Sequence, residues 1–457
     1  MSRLAEWLET ASRQALAMPA LIMPARQISF VELASLARCG GAYLRGCGLQ
    51  SGDIAAVAGN ASELAIAAIA CAAADLALLP LDPMTVDARW PGLKTLGGDA
   101  LKKAAPLPAD LPATSHSERQ QSIASTLALV ISTSGSEGTP KAVMLTHANL
   151  NAAASASNER LPLNPGDIWL GCLPLHHIGG ISILYRCVRA AATMLLHEGF
   201  DPAAVWRDLH RHPVTHLSLV PAMLAQLLDA ADEQAPPACL RHVLVGGAAL
   251  TEPLYQRAHA AGWPVCPSWG MSECAAQVAT WRHSGRDWQA GEVGTLLNGF
   301  EARLGADNHL HLRGPQVMAG TLNPAQQAGL GLDDGWLITA DLGRIDAHGA
   351  VTILGRADDV LISGGVNIHP LEVESQLAAC PGVTDIAVTA LADPVWGDAL
   401  VALVVGTADA AAVLDWSRRH LASSLRPRHV LRVEQLPRNP MGKIERSTLR
   451  SIARAAA

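Results

Sequence analysis

The chain is short of several things, and each shortage excludes a class of protein. Its 457 residues include only three Phe and three Tyr, so the core has to be aliphatic. Charged residues make up 16% against 49% hydrophobic ones, which excludes a disordered chain and indicates a compact globular protein. There is no basic excess: 34 Lys and Arg face 41 Asp and Glu, and the net charge of −7 argues against a nucleic-acid partner. None of the nine cysteines forms a C-x-x-C pair, which fits buried thiols in a reducing compartment and leaves no zinc spacing. The cluster His210-Arg211-His212 with His216 lacks cysteine partners and reads as a basic helix end. No stretch reaches the roughly 18 apolar residues of a membrane span. The alanine-rich run 55–81 is broken by Asn60, Glu63 and Asp75, and residues 1–16 carry Arg3, Glu6, Glu9 and Arg13. That N-terminal pattern is an amphipathic helix and not a signal peptide, so a cytoplasmic location is expected.

A chain this long exceeds one ordinary core, so two or more domains are expected. Over the first 350 residues, short apolar runs at 54–58, 127–131, 169–172, 193–196, 216–220 and 242–245 alternate with helical stretches. Such alternation implies parallel βαβ units and a layered α/β body. From 291 to 354 the pattern changes to short strands with turns between them, at 301–304, 310–313 and 351–354, which predicts a β-rich subdomain. The last hundred residues read as a small α+β unit, with strands at 384–389 and 400–405 around a polar turn at 393–398. The domain boundary is placed at about Ala357, giving an N-terminal domain 1–357 and a C-terminal domain 358–457.

The most informative stretch is Ser132-Thr133-Ser134-Gly135-Ser136-Glu137-Gly138-Thr139-Pro140-Lys141, directly after an apolar strand. Small hydroxyl residues alternating with glycines there form a loop whose N–H groups can close on phosphate oxygens. It is not the common nucleotide-binding loop G-x-x-x-x-G-K-[ST], because its glycines are three apart and proline precedes the lysine. A plain surface loop has the same composition. Further along stand Trp269-Gly270-Met271-Ser272-Glu273, Thr339-Ala340-Asp341, Gly355-Arg356-Ala357-Asp358 and the run from Pro437 to Lys443.

In that order and spacing the chain resembles the adenylate-forming superfamily of acyl- and aryl-CoA synthetases, carrier-protein adenylation domains and firefly-type luciferases. The resemblance covers nearly the whole sequence. It implies a large multi-subdomain α/β N-terminal domain followed by a small mobile α+β domain, with ATP, Mg2+ and coenzyme A as cofactors. It also implies activation of a carboxylic acid. A carboxylate is a poor acyl donor; attack on the α-phosphorus of ATP makes a mixed anhydride that can acylate a thiol. The transition state is rich in negative charge, so positioned cations and N–H dipoles should dominate catalysis.

Residue by residue, the resemblance implies the following. Thr133, Ser134, Ser136 and Thr139 donate hydroxyls to the β- and γ-phosphates, Gly135 and Gly138 let the backbone approach, and Lys141 adds charge. Glu137 departs from the usual Thr or Ser and would repel triphosphate unless it turns away or acts through a cation. Gly247 and Ala248, in Val245-Gly246-Gly247-Ala248-Ala249, lie against adenine. Trp269 stacks on adenine, Gly270 follows it, Ser272 meets the α-phosphate and Glu273 ligates Mg2+, a hard cation that takes carboxylate oxygen. Asp341 accepts from the ribose hydroxyls, and Ala340 replaces the usual Gly, which a negative φ would tolerate. Arg356 contacts ribose and phosphate. His177, in Leu173-Pro174-Leu175-His176-His177-Ile178-Gly179-Gly180, lines the carboxylate site. Lys443 reaches the carboxylate and α-phosphate as a compact ammonium. Asp358 is the hinge about which the small domain rotates for the second half-reaction. Gly365 and Trp396 line the pantetheine tunnel.

Within the superfamily, residues 179–186 and 269–277 look most like o-succinylbenzoate–CoA ligases of menaquinone synthesis, and 362–370 is also similar to halobenzoate–CoA ligases. The expected reaction is therefore an acid–CoA ligation on an aryl acid such as o-succinylbenzoate. Arg186, nine residues after His177, is then the anchor for a second carboxylate; an exposed position at the helix edge is the competing reading. An enzyme loading a carrier protein, a nucleotide-binding relative without activity, and a homodimer all stay open.

Overall fold

The structure is a computed structural model that describes residues 3–14, 18–24, 26–83, 96–97, 127–133, 141–283, 285, 287–322, 331–363, 365–393, 397–439 and 442–456. Its backbone is organised by three sheets. The largest has fourteen strands. Its parallel half places Thr193–Leu196, Ile168–Gly171, His216–Leu219, His242–Val245 and Val265–Met271 side by side. Runs of buried β-branched and aliphatic residues suit strands covered on both faces. Two of these strands, Thr193–Leu196 and His242–Val245, have the same limits as the apolar runs in the sequence, and Ile168–Gly171 and His216–Leu219 differ from their runs by one residue at an end.

The β-rich stretch predicted after residue 291 is present, and it is continuous with the parallel sheet. Strand Val265–Met271 pairs parallel with His242–Val245 on one side and antiparallel with Ala276–Thr280 on the other. From there the sheet runs on through Glu292–Leu296, Ala350–Arg356, Trp336–Ile345, His309–Arg313 and Glu301–Leu304, all antiparallel. Trp269 and Gly270 thus sit at the switch from parallel to antiparallel pairing.

A second sheet of six strands includes Ile54–Ala58, Ala77–Leu81, Leu127–Thr133 and Lys141–Thr146. Helices Phe30–Gly46 and Ala61–Ala74 pack beside it. A Cβ at Gly40 would come within 2.7 Å of Ala70 Cβ, and one at Gly41 within 3.2 Å of Ala73 Cβ. Small residues on both helices replace bulk with close approach, which is how a core with few aromatics reaches native packing density. The first helix, Arg3–Gln14, buries Leu4, Leu8 and Ala11 at helical spacing, as its amphipathic pattern predicts.

The last third sheet has five strands between Leu361–Ser363 and His429–Arg432, with its own apolar core around Leu377, Val388, Leu400 and Val404. The single turn Ala357–Asp359 connects it to the rest of the chain. Among the described residues, no helix is long and apolar enough to cross a membrane.

Candidate active site

The site forms outside the carboxyl ends of the parallel strands, where open α/β sheets bind ligands. Strand His242–Val245 runs into Gly246 and Gly247, the latter at φ +79°, a conformation that favours glycine. Strand Ile168–Gly171 runs into the turn carrying His176 and His177, whose rings lie 4.4 Å apart. His177 is half-buried at the N-cap of helix Ile178–Ala190. A Cβ at Gly180 would meet Pro174 O at 2.3 Å, so glycine lets this turn fold tightly beneath His177.

At the sheet junction, a Cβ on Gly270 would stand 1.7 Å from Ala276 O, which leaves room for glycine alone. The chain then makes the short turn Ser272–Cys274, pinned by Met318 N donating to Glu273 O at 2.8 Å. Ala275 and Ala276 follow at φ +53° and +94°, strained values for residues with a Cβ and typical of functional segments. Burial, with Glu273 and Asp341 close by, pushes the Cys274 thiol well above its usual pKa. The two carboxylates therefore share one small region. Among the described residues no three His, Cys, Asp or Glu gather as a metal cage. Glu273 alone fits Mg2+, which commonly takes one carboxylate and completes its shell with phosphate and water.

Asp341 and Arg356, fifteen residues apart in sequence, are register partners across a hairpin. Arg356 holds Asp358 with two bonds, Nε to Oδ1 at 2.9 Å and Nη2 to Oδ2 at 2.8 Å, and reaches Asp341 Oδ1 at 3.5 Å. The Asp358 bonds first, then Asp341, raise the Arg356 pKa. Ala340 lies within the strand and outside the left-handed region, so a Cβ is tolerated there.

Lys443 arrives from the other end of the chain. Its loop is a tight hairpin: Asn439 N donates to Lys443 O at 2.9 Å and Lys443 N donates to Asn439 Oδ1 at 3.0 Å. Arg438 clamps it, giving Nη1 to Gly442 O at 2.8 Å and Nη2 to both oxygens of Asp385 at 2.9 and 2.8 Å. The Lys443 side chain is exposed within the cleft, yet the surrounding protein lowers its pKa from the ordinary value. Desolvation is the main cause and Arg356 the next, while Asp341 and Glu273 act in the opposite direction. Lys443 thus lies within electrostatic reach of Arg356, Asp341 and Glu273.

Arg186 overturns the edge-of-helix alternative. It is 3% exposed, and its guanidinium lies 5.2 Å from the centroid of the fully buried Trp169 ring. Burial pushes its pKa down to about 10, so it stays charged at neutral pH. No described residue gives it an ion pair. Ser182, Tyr185 and Arg186 line a small cavity with Ala275, which follows the Glu273 turn. Trp169 is fixed in turn by Nε1 donating to Ser218 Oγ at 3.0 Å and by stacking on His216 at 4.9 Å.

The phosphate-loop residues Ser134, Gly135, Ser136, Glu137, Gly138 and Thr139 lie outside the described residues, as does Trp396. The ends of that loop are placed: Thr133 and Lys141 are register partners of adjacent antiparallel strands. Gly365 is at φ +77°, and no atom of the described residues would crowd an added Cβ there. Trp269 is 7% exposed, and its Nε1 donates to Asp341 Oδ2 at 2.8 Å. Sequence reasoning missed Trp169, Arg438 and Asp385. Only Arg438 left a trace, as the residue beside Asn439 in the lysine loop.

The chain is similar to known proteins in sequence and in fold. Residues 91–322 match the family model described as AMP-binding enzyme, and residues 372–443 match the AMP-binding enzyme C-terminal domain. The chain belongs to this family of adenylate-forming enzymes. It is 33% identical over 334 residues to the 2-succinylbenzoate–CoA ligase of Bacillus mycoides, covering 71% of this chain and 69% of that protein. The Bacillus subtilis o-succinylbenzoate coenzyme A synthetase, solved with ATP and magnesium, superposes with a TM-score of 0.82 at 28% identity, covering 97% of this chain and 98% of that one. ATP-bound MatB from Rhodopseudomonas palustris superposes with a TM-score of 0.83 at 28% identity over the full length of both chains.

Proposed function

We propose that the protein is a cytoplasmic ATP-dependent acid–CoA ligase whose substrate is o-succinylbenzoate or an aryl dicarboxylate of similar shape. The observation that carries the substrate class is Arg186. A buried cation without an anionic partner is costly, and a second carboxylate on the substrate would supply that partner while the first reacts near His177. The relatives named for 2-succinylbenzoate support the same reading.

In the first half-reaction the substrate carboxylate oxygen attacks the α-phosphorus, the bond to the bridging oxygen breaks, and pyrophosphate leaves. Lys443 faces the site from which negative charge must be drawn off, and Arg356 adds a second cation. Thr133 to Lys141 would hold the outgoing phosphates, with Gly247, Ala248 and Ser272 around the adenosine and α-phosphate. Glu273 would hold Mg2+, which when bound would neutralise charge at the phosphates. In the second half-reaction the CoA thiolate attacks the acyl carbon and AMP leaves. We place a mobile small domain from Asp358 onward, with Gly365 and Trp396 admitting the thiol arm after rotation. The family match at residues 372–443 supports that division.

The test is pyrophosphate release across mono- and dicarboxylic aryl acids, with and without CoA, in wild type and Arg186→Ala. A charge-assisted pair contributes about 1.5–3 kcal/mol, so the variant should raise the KM for o-succinylbenzoate ten- to a hundredfold, roughly, and leave plain benzoates nearly unchanged. Equal effects on both classes would remove the dicarboxylate assignment. Pyrophosphate release without acyl-CoA formation would favour a carrier-protein acceptor.

A further inference from the structure

Trp269 does more than present a ring. Most of its indole is inside the core, and its N–H donates to Asp341 Oδ2 at 2.8 Å across 72 residues of sequence. Among the described residues, Arg356 is the other side chain bonded to that carboxylate. Arg356 approaches the second oxygen only at 3.5 Å, the outer limit of a hydrogen bond, because its guanidinium is committed to Asp358 at 2.8 and 2.9 Å. The Asp341 backbone is held separately: its N–H donates to Thr339 Oγ1 at 3.1 Å, and Thr339 Oγ1 donates to Leu310 O at 2.8 Å. The backbone is therefore set by Thr339, and the side-chain orientation is set chiefly by Trp269.

An ionised carboxylate has about four acceptor positions. Trp269 and Arg356 each occupy one, which leaves two, the number needed by the vicinal hydroxyls of a ribose. A phenyl ring at position 269 would keep an aromatic face but provide no donor.

We propose that Trp269 is a positioning residue that acts through its indole N–H, orienting Asp341 to accept the two ribose hydroxyls of ATP. The inference rests on the adenylating function above. It differs from a stacking role in being conditional on the hydroxyls.

The experiment is calorimetric titration of the full-length protein with Mg-ATP and with Mg-2′,3′-dideoxyATP, for wild type and Trp269→Phe. Loss of one charge-assisted hydrogen bond should weaken ATP binding about tenfold, while dideoxyATP affinity stays within about twofold of wild type. In an Asp341→Ala background, Trp269→Phe should have no further effect on ATP. Trp269→His, which keeps a ring N–H, should recover part of the ATP affinity, and it serves as the test if the Phe variant does not fold. Equal weakening of both nucleotides would mean the ring only packs against the ligand, and unchanged ATP binding would mean the bond is idle. Either result overturns the proposal. A wild-type protein that binds neither nucleotide would instead overturn the adenylating function itself.

Discussion

Gly442 stands against Val220: a Cβ at position 442 would come within 2.9 Å of Val220 Cγ2. Val220 in turn lies beneath Gly247, where an added Cβ would be 3.4 Å from its Cγ1. One side chain at the end of a parallel strand thus seats both the lysine loop and the glycine turn of the nucleotide site. Asp341 and Glu273 act on Lys443 electrostatically from the same region.

Lys443→Ala should slow adenylation by about a hundredfold or more, the scale of losing one preorganised charge at a phosphoryl transition state. Thioester formation from a synthetic acyl-adenylate and CoA should stay near normal. Rapid-quench measurement of the two half-reactions checks this; equal losses would place Lys443 in both.

The lowered pKa of Lys443 has a kinetic sign. The ammonium is the active form, so its contribution is full below the Lys443 pKa and is lost as pH rises through it in the free enzyme. That pKa lies below the ordinary value of 10.5. The alkaline limb of kcat/KM for pyrophosphate release should therefore fall below pH 10.5. Lys443→Arg, whose guanidinium stays charged, should move the limb upward among whatever activity it retains.

Among the described residues, no atom lies within 4 Å of a Cβ added at Gly365, and its φ is +77°. Gly365→Leu should leave pyrophosphate release close to wild type, because nothing is displaced while Lys443 is docked. Thioester formation should drop at least tenfold once the same position has to face the thiol arm. The strained backbone costs about 1–2 kcal/mol, which a thermal melt will show separately.

Gly270 has no such freedom. An added methyl would stand 1.7 Å from Ala276 O, a backbone atom that cannot swing aside. Gly270→Ala should destabilise the protein by about 3 kcal/mol and displace the Ser272–Cys274 turn. Denaturant unfolding and loss of ATP binding measure the two effects.

Sequence alone determined the local features. The runs at Ile54–Ala58, Thr193–Leu196 and His242–Val245 and the short strand at Glu301–Leu304 are strands with those same limits, because residue alternation and turn residues are encoded within a few positions. The motifs around Lys443, Glu273 and Asp341 were legible for the same reason, and the structure brings their side chains within electrostatic reach. Three things were decided only by the tertiary structure. The β-rich region joins the parallel sheet through Val265–Met271, since strand pairing depends on partners far away in the chain. Arg186 is buried on Trp169 and not at a helix edge, because a helix pattern says which residues share a face but not what covers it. Trp269 spends its N–H on Asp341, a contact between motifs 72 residues apart that no local pattern contains.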